Sequence, residues 1–285
     1  MDATVRAAIA CMHERFGGPL TVTDIAGNAA LSRFDFSRLF KEETGVSPGE
    51  FLDAVRVGEA RKLLDATSMS ITEISRAVGY AGPDAFTDSF TARVGLSPGR
   101  FRRLCREEGE VPPLPRQDPD PAPGPEHGSL AGTVRLPPGH GNARVFLGAF
   151  ATAVVQYPAL AWTIVDVPSD RPSCYSLHHV PAGRRHLLAV AVAAGTGHDP
   201  QAVRTALLGG AAAAVTVTAG AVTSAAVRLR AARRADPPVL LALPRLEPPA
   251  AVVPHPGCAA AADPTGPGGA VRLRVVPAAP ARSGA

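Results

Sequence analysis

A chain of 285 residues holds about two domains and a tail. Its formal net charge of +4 is unevenly spread: residues 1–110 carry 14 Arg and Lys against 16 Asp and Glu, and residues 111–285 carry 15 against 9. That balance excludes a uniformly basic N-terminal region, so a polyanionic partner there must meet cations gathered on one face. Cys11, Cys105, Cys174 and Cys258 lie far apart, with no metal-ligand spacing and no disulfide framework suggested. The N-terminus has no basic start followed by an apolar core, so no signal peptide and a cytoplasmic location are expected.

In chain order, Val5, Ala8, Ile9, Met12 and Phe16 give residues 3–16 a helical apolar face, stopped by Gly17-Gly18-Pro19. Thr21 with Asp24 predicts a capped short helix carrying Ile25 and Ala29. Ser32 with Asp35 starts a second helix running to about Thr44, with Phe36, Leu39 and Phe40 as its inward stripe and Gly45 as its end. Ser47-Pro48-Gly49-Glu50 sets a cap, a first-turn proline and a glutamate three residues after the cap, before a helix to about Ala66. Ser70 and Glu73 cap the next short helix. Gly79 to Pro83 turns into a helix over Asp84–Val94, and Ser97-Pro98 opens a last one ending near Glu108.

Residues 111–128 are rich in proline and read as a stiff, extended linker. Beyond them the apolar period becomes two. Strands are expected at Leu130–Arg135, Ala143–Phe150, Leu160–Asp166, Ser173–Val180, Arg184–Ala193, Val215–Thr218 and Ala221–Arg230, with a further one at Val239–Leu243. Short strands between Pro and Gly turns point to a β-sandwich over residues 129–246. The uncharged run between Arg204 and Arg228 is long enough to span a bilayer, but Leu207 and Leu208 are its only large aliphatics and Val215 to Thr218 alternates, so no membrane span is expected. Residues 247–285 are rich in Ala, Pro and Gly and read as a disordered tail.

The most informative feature is a repeat. Phe36, Phe40, Gly45, Ser47, Pro48, Gly49 and Phe51 recur as Phe86, Phe90, Gly95, Ser97, Pro98, Gly99 and Phe101. Each copy is a short helix, a tight turn and a second helix, the helix-turn-helix arrangement whose second helix fits a major groove. A 19-residue rod between the copies is about 28 Å long, close to one turn of B-DNA at about 34 Å once its flanking turns are added. Two reading helices could then enter successive grooves on one face of a duplex.

With Phe36 and Phe40 inward, the opposite face carries Arg33, Phe34, Ser37, Arg38 and Lys41. Arg38 suits guanine O6 and N7, Lys41 a phosphate, and Ser32 with its helix N-terminus another phosphate. The second helix offers Asp84, Thr87, Asp88, Thr91 and Arg93 as its DNA-facing set. Asp88 could accept from cytosine N4. The bland reading of Arg38 and Lys41 is solvated surface charge, and of Phe34 a core residue.

Leu31 to Pro48, Ile71 to Tyr80, Phe86, Phe90 and Gly95-Leu96-Ser97-Pro98 resemble the DNA-binding domain of the AraC/XylS family of transcription regulators. The resemblance covers residues 1–108. It implies seven helices, two reading helices, double-stranded DNA as partner and RNA polymerase as a further candidate. Asp88 and Thr91 depart from it, since the family usually carries basic residues there. The first unit is therefore expected to supply most sequence reading. Family members commonly place this domain last, so the order here is reversed.

Gly132 to Arg135, Ala143 to Leu147, Tyr175 to Leu177, and Val180-Pro181-Ala182-Gly183 followed by Leu187 to Val190 resemble the transthyretin-like, carboxypeptidase-regulatory-like β-sandwich. That resemblance implies a structural or interaction module and no catalysis. His178 and His179, adjacent in a strand, point to opposite faces, so no metal site is expected there. No nucleophile elbow, phosphate loop or carboxylate pair appears, and neither enzyme activity nor a cofactor is expected.

The fold expected is therefore multidomain: an all-α double helix-turn-helix over residues 1–110, followed by an all-β sandwich. The function expected is sequence-specific DNA-binding transcription regulation, with an unknown effector or protein partner at the C-terminal domain. A second reading makes the sandwich an interaction or ligand-sensing module with only non-specific DNA affinity.

Overall fold

The structure, a computed structural model, describes residues 1–28, 30–107, 126–195, 205–211 and 213–252. Residues 111–125 of the proline-rich linker and residues 253–285 of the expected tail lie outside these residues.

Seven helices come first: α1 (Ala3–Arg15), α2 (Val22–Asn28), α3 (Arg33–Thr44), α4 (Pro48–Ala66), α5 (Ile71–Ala77), α6 (Pro83–Val94) and α7 (Pro98–Arg106). Their ends follow the local chemistry. Ser47 Oγ accepts from the Glu50 amide while the Glu50 carboxylate accepts from the Ser47 amide, and Ser70 with Glu73 does the same. Such caps satisfy donors that have no partner within the helix. Gly45 and Gly95 close α3 and α6 in the left-handed conformation, at φ 81° and 86°.

The repeat is also a repeat of packing. Phe36, Phe40 and Phe51 form a fully buried trio with successive centroid distances of 5.7 and 5.5 Å, and Phe86, Phe90 and Phe101 form its counterpart at 5.5 and 5.7 Å. Each trio pins a reading helix to the helix that follows it. Arg56 on α4 donates to the Phe16 and Gly18 carbonyls and ties down the turn after α1.

Among the described residues nine strands follow: β1 (His127–Arg135), β2 (Ala143–Phe150), β3 (Ala161–Val167), β4 (Ser173–Pro181), β5 (Gly183–Ala193), β6 (Thr205–Gly210), β7 (Val215–Val217), β8 (Val222–Ser224) and β9 (Val227–Ala231). The sheet runs β3-β2-β5-β6-β9-β1-β4; β7 pairs with β5 and β8 with β1. The end strands β3 and β4 lie side by side, so the sheet curls into a near-barrel. This differs from the expected sandwich of two sheets, because β6 and β9 carry the hydrogen-bonded path across from β5 to β1.

Four further expectations change. β6 lies in the small-residue run, where no strand was expected before Val215. The single strand expected at 221–230 is split into β8 and β9. Val239–Leu243 forms no strand: Pro237, Pro238 and Pro244 offer no amide hydrogens, and the Leu240 and Leu241 amides both donate to the Val155 carbonyl. Cys174 is disulfide-bonded, contrary to the cysteine spacing, while Cys11 and Cys105 are free thiols.

The barrel interior is filled from alternate positions, including Leu130, Val145, Leu147, Tyr175, Leu187 and Leu229. Tyr175 Oη donates to the Ala225 carbonyl at 2.6 Å, and burial pushes its phenol up to about 12. The folded state therefore keeps a proton that the unfolded chain releases near pH 10. Stability is full below pH 10 and falls as pH rises towards 12. Denaturation midpoints measured across this window should fall, and Tyr175→Phe should flatten the fall while costing about 1 kcal/mol at neutral pH from the lost hydrogen bond. Tyr80, also raised by burial, leaves part of the slope in place.

On the outside of β2, Phe146 and Phe150 are buried under the β2–β3 loop and the irregular segment after β9, with Val155, Ala159, Leu241 and Leu246. The same two pieces of chain reach the helices: Val154, Leu240 and Ala242 belong to the helical core. The two halves are thus joined by a shared apolar layer.

Candidate nucleic-acid interface

α2 with α3, and α5 with α6, form the two helix-turn-helix pairs. On α3, Arg33, Phe34, Arg38 and Lys41 are exposed and Ser37 is half-buried. Phe34, at 77 % exposure, is an outward-facing ring and not a core residue. Ser32 caps α3: its Oγ accepts from the Asp35 amide at 3.1 Å and donates to the Asp35 carboxylate at 2.6 Å. Arg38 lies 3.7 Å from Asp35, with 65 % of its side chain exposed, so this solvated contact leaves its guanidinium free to turn outward.

α6 presents a different face. At the fifty-residue offset of the repeat, Asp84 stands for Phe34, Asp88 for Arg38 and Thr91 for Lys41. Asp84 and Asp88 are exposed, whereas Thr87 and Thr91 are half-buried. Thr91 Oγ1 donates back to the Thr87 carbonyl at 2.7 Å. The cations expected to touch DNA are thus concentrated on α3.

Arg93 is not part of the outward face. Its guanidinium donates at 3.0 Å to Asp53 on α4 and at 3.0 Å to Gln156 in the β2–β3 loop, with 20 % of the side chain exposed. It ties the second reading helix to the connecting rod and to the sheet domain. In the sequence it is a basic residue of the DNA-facing set expected on α6, and nothing local signals partners 40 and 63 residues away.

The β2–β3 loop touches the C-terminal ends of both reading helices. A Cβ placed on Gly45 would lie 3.1 Å from Ala153 Cβ, and one on Gly95 would lie 2.8 Å from the Tyr157 ring. The Tyr157 amide donates to the Arg93 carbonyl at 2.7 Å, and the Ala242 amide to the Val94 carbonyl at 3.2 Å. A side chain at Gly95 would clash and one at Gly45 would crowd Ala153, beyond the need of both for positive φ. On α4, Arg61 donates to the Val239 carbonyl and stacks 5.1 Å over the Phe101 ring, and Gly58 leaves room for Pro238. One loop and one strap therefore hold α3, α4 and α6 in a fixed mutual arrangement.

Further cations gather beside α3 from the sheet domain. Arg184 on β5 and Arg228 and Arg230 on β9 line the same cleft as Arg38 and Lys41. They come from separate strands more than 140 residues later, so no sequence spacing could have joined them. Among the described residues no cluster of side chains could hold a metal ion, and no helix is long and apolar enough to cross a membrane.

A family model described as a helix-turn-helix domain matches residues 25–104. The uncharacterized HTH-type transcriptional regulator YfiF of Bacillus subtilis is 40% identical over 96 residues, which are 34% of this chain and 30% of that protein. A Streptomyces lividans protein named as an AraC-like transcription regulator is 31% identical over 102 residues, 36% of this chain and 34% of that one. A solved transcriptional regulator with an AraC-type DNA-binding domain, from Chromobacterium violaceum, is 29% identical with a TM-score of 0.35; the match covers 37% of this chain and 95% of that chain. The chain spans about a third of the length of the curated relatives it matches. Residues 25–104 thus form a helix-turn-helix domain, and in sequence it is similar to those of regulators named as HTH-type and AraC-like.

Proposed function

We infer that the protein is a sequence-specific DNA-binding transcription regulator, in which α3 and α6 address two adjacent major-groove segments unequally. The observation that carries this reading is the pair of matched reading units, one of which presents Arg33, Arg38 and Lys41 outward beside an exposed aromatic ring. α3 supplies directed contacts to base edges and phosphates. The acidic outward face of α6 makes a weaker, more permissive contact, since a carboxylate near phosphates is repelled unless it accepts from cytosine. Arg93 acts by positioning α6 against α4 and the β2–β3 loop.

The sheet domain, with its transthyretin-like sequence resemblance, is read as a sensing or interaction module. Its contact with both reading helices supports a controlling role over tethering alone. RNA polymerase is a candidate partner of the assembled complex, and no catalysis is assigned to the chain. Selection of bound sites from random duplex DNA by the full-length protein, at physiological salt, tests the reading. One asymmetric motif with two segments about a helical turn apart is the expected result. Recovery of no motif, with affinity that falls steeply with salt for every sequence, would leave only the non-specific alternative.

A further inference from the structure

The cleft between the C-terminal half of α3 and the strands β5, β6 and β9 has a volume of about 1050 Å³. Five cations line it: Arg38 and Lys41 from α3, Arg184 from β5, and Arg228 and Arg230 from β9. The carboxylates along it are Glu42, Glu43 and Asp236. Asp236 is already bound by both arms of Arg230, at 2.7 and 2.5 Å, and Glu43 lies 3.6 Å from the chain's amino terminus. Lys41, Arg184 and Arg228 form no ion pair among the described residues. Five cations thus face three carboxylates, which leaves the cleft with a positive excess. His186 also lines it; burial, then Arg184 and then Lys41, hold the imidazole below its ordinary value.

The lining also includes apolar Val155, half-buried Leu208 and half-buried Val239. A concave site of this size, with several cations and aliphatic carbon in one lining, fits a small organic molecule better than the convex rod of a duplex. We propose that the cleft binds a small organic polyanion, carrying two or more phosphate or carboxylate charges on an apolar or ring-bearing body, and that this ligand and DNA exclude one another because both require Arg38 and Lys41. The exclusion rests on the DNA-reading role of α3; the binding of the anion does not. The coupling is reciprocal, so DNA that engages α3 weakens the anion by the same factor.

The test uses full-length protein at constant ionic strength, with adenosine triphosphate and citrate as probes and glucose as a neutral control. Calorimetry reads probe binding, and fluorescence anisotropy reads affinity for a DNA site recovered by selection. Wild type should bind at least one of the two anions and not glucose. Saturating anion should weaken DNA binding about fivefold or more. Arg184→Ala with Arg228→Ala should weaken the anion about tenfold or more, leave DNA affinity unchanged without anion, and abolish the competition. Both side chains are exposed, and the doubly Lys-substituted variant, which keeps the charges, should restore anion binding.

Three results would overturn the proposal. Neither anion binding wild type is one, and binding indifferent to the double alanine variant is another. In the third, the double variant loses DNA affinity and salt dependence without anion, which would make Arg184 and Arg228 part of the DNA track. If no DNA sequence is bound while anion binding still needs Arg184 and Arg228, the regulator reading fails and the anion site stands.

Discussion

Replacing Arg38 with alanine should weaken binding to a selected DNA site by about 1–3 kcal/mol and relax the preference at a single base position. Arg38 is the exposed guanidinium in the middle of the outward face of α3, held only by a solvated contact with Asp35. A bidentate pair with guanine is lost, and with it the discrimination at that base. Lys41→Ala should behave differently: weaker binding to all sequences, with a shallower salt dependence, as expected of a phosphate contact. The same change on the second unit, Asp88→Ala, should have a smaller effect or strengthen binding, because it removes a negative charge from the path of the backbone. Anisotropy titrations of the three variants on the selected site and on single-base variants of it decide this. A loss from Asp88→Ala equal to that from Arg38→Ala would sink the assignment of reading to the first unit.

Phe40→Ala should cost about 3–5 kcal/mol of stability in the helical domain, as expected for emptying a fully buried aromatic site. Phe40 is wholly buried and touches both Phe36 and Phe51, so its ring joins α3 to α4. That loss is comparable with the whole stability of many domains, about 5–15 kcal/mol. Phe34→Ala, six residues earlier on the exposed face, should change stability by less than about 0.5 kcal/mol. Two probes separate the halves of the molecule: far-ultraviolet dichroism follows the helices, and the single tryptophan, Trp162 in β3, reports on the sheet domain. Phe40→Ala should shift the dichroism transition more than the fluorescence transition. Equal shifts would mean that the apolar layer of Val154, Leu240 and Ala242 makes the halves unfold as one unit.

The helical domain was legible because its signals are local. A cap such as Ser47 with Glu50, or a closing glycine such as Gly45, acts within a few residues and reads the same from sequence as from structure. Phe36 and Phe40 are one helical turn apart, so their shared face follows from periodicity alone. Strands such as β2 and β5 were legible from their runs of apolar residues, which are also local. β6 was not: Thr205 to Gly210 carries only two large apolar residues, adjacent at Leu207 and Leu208, and its pairing with β9 supplies the order that its own pattern lacks. Val239–Leu243 looked like a strand because it is apolar. Its prolines and its docking against Val155 and Val94 decided otherwise.

The amino-acid sequence by itself thus determined the helices, their caps, the repeated reading unit and which face of α3 turns outward, all through interactions spanning a turn or two of chain. It determined the asymmetry as well, since Arg38 and Asp88 occupy the same place in the two units. Only the tertiary structure decided what those faces meet. The curl of the sheet, the loop that touches the ends of both reading helices, the diversion of Arg93 to Asp53 and Gln156, and the cleft that sets Arg184 and Arg228 beside Lys41 each join residues tens to nearly two hundred positions apart. Such contacts are selected by which surfaces can be buried together, and no short-range pattern records that choice.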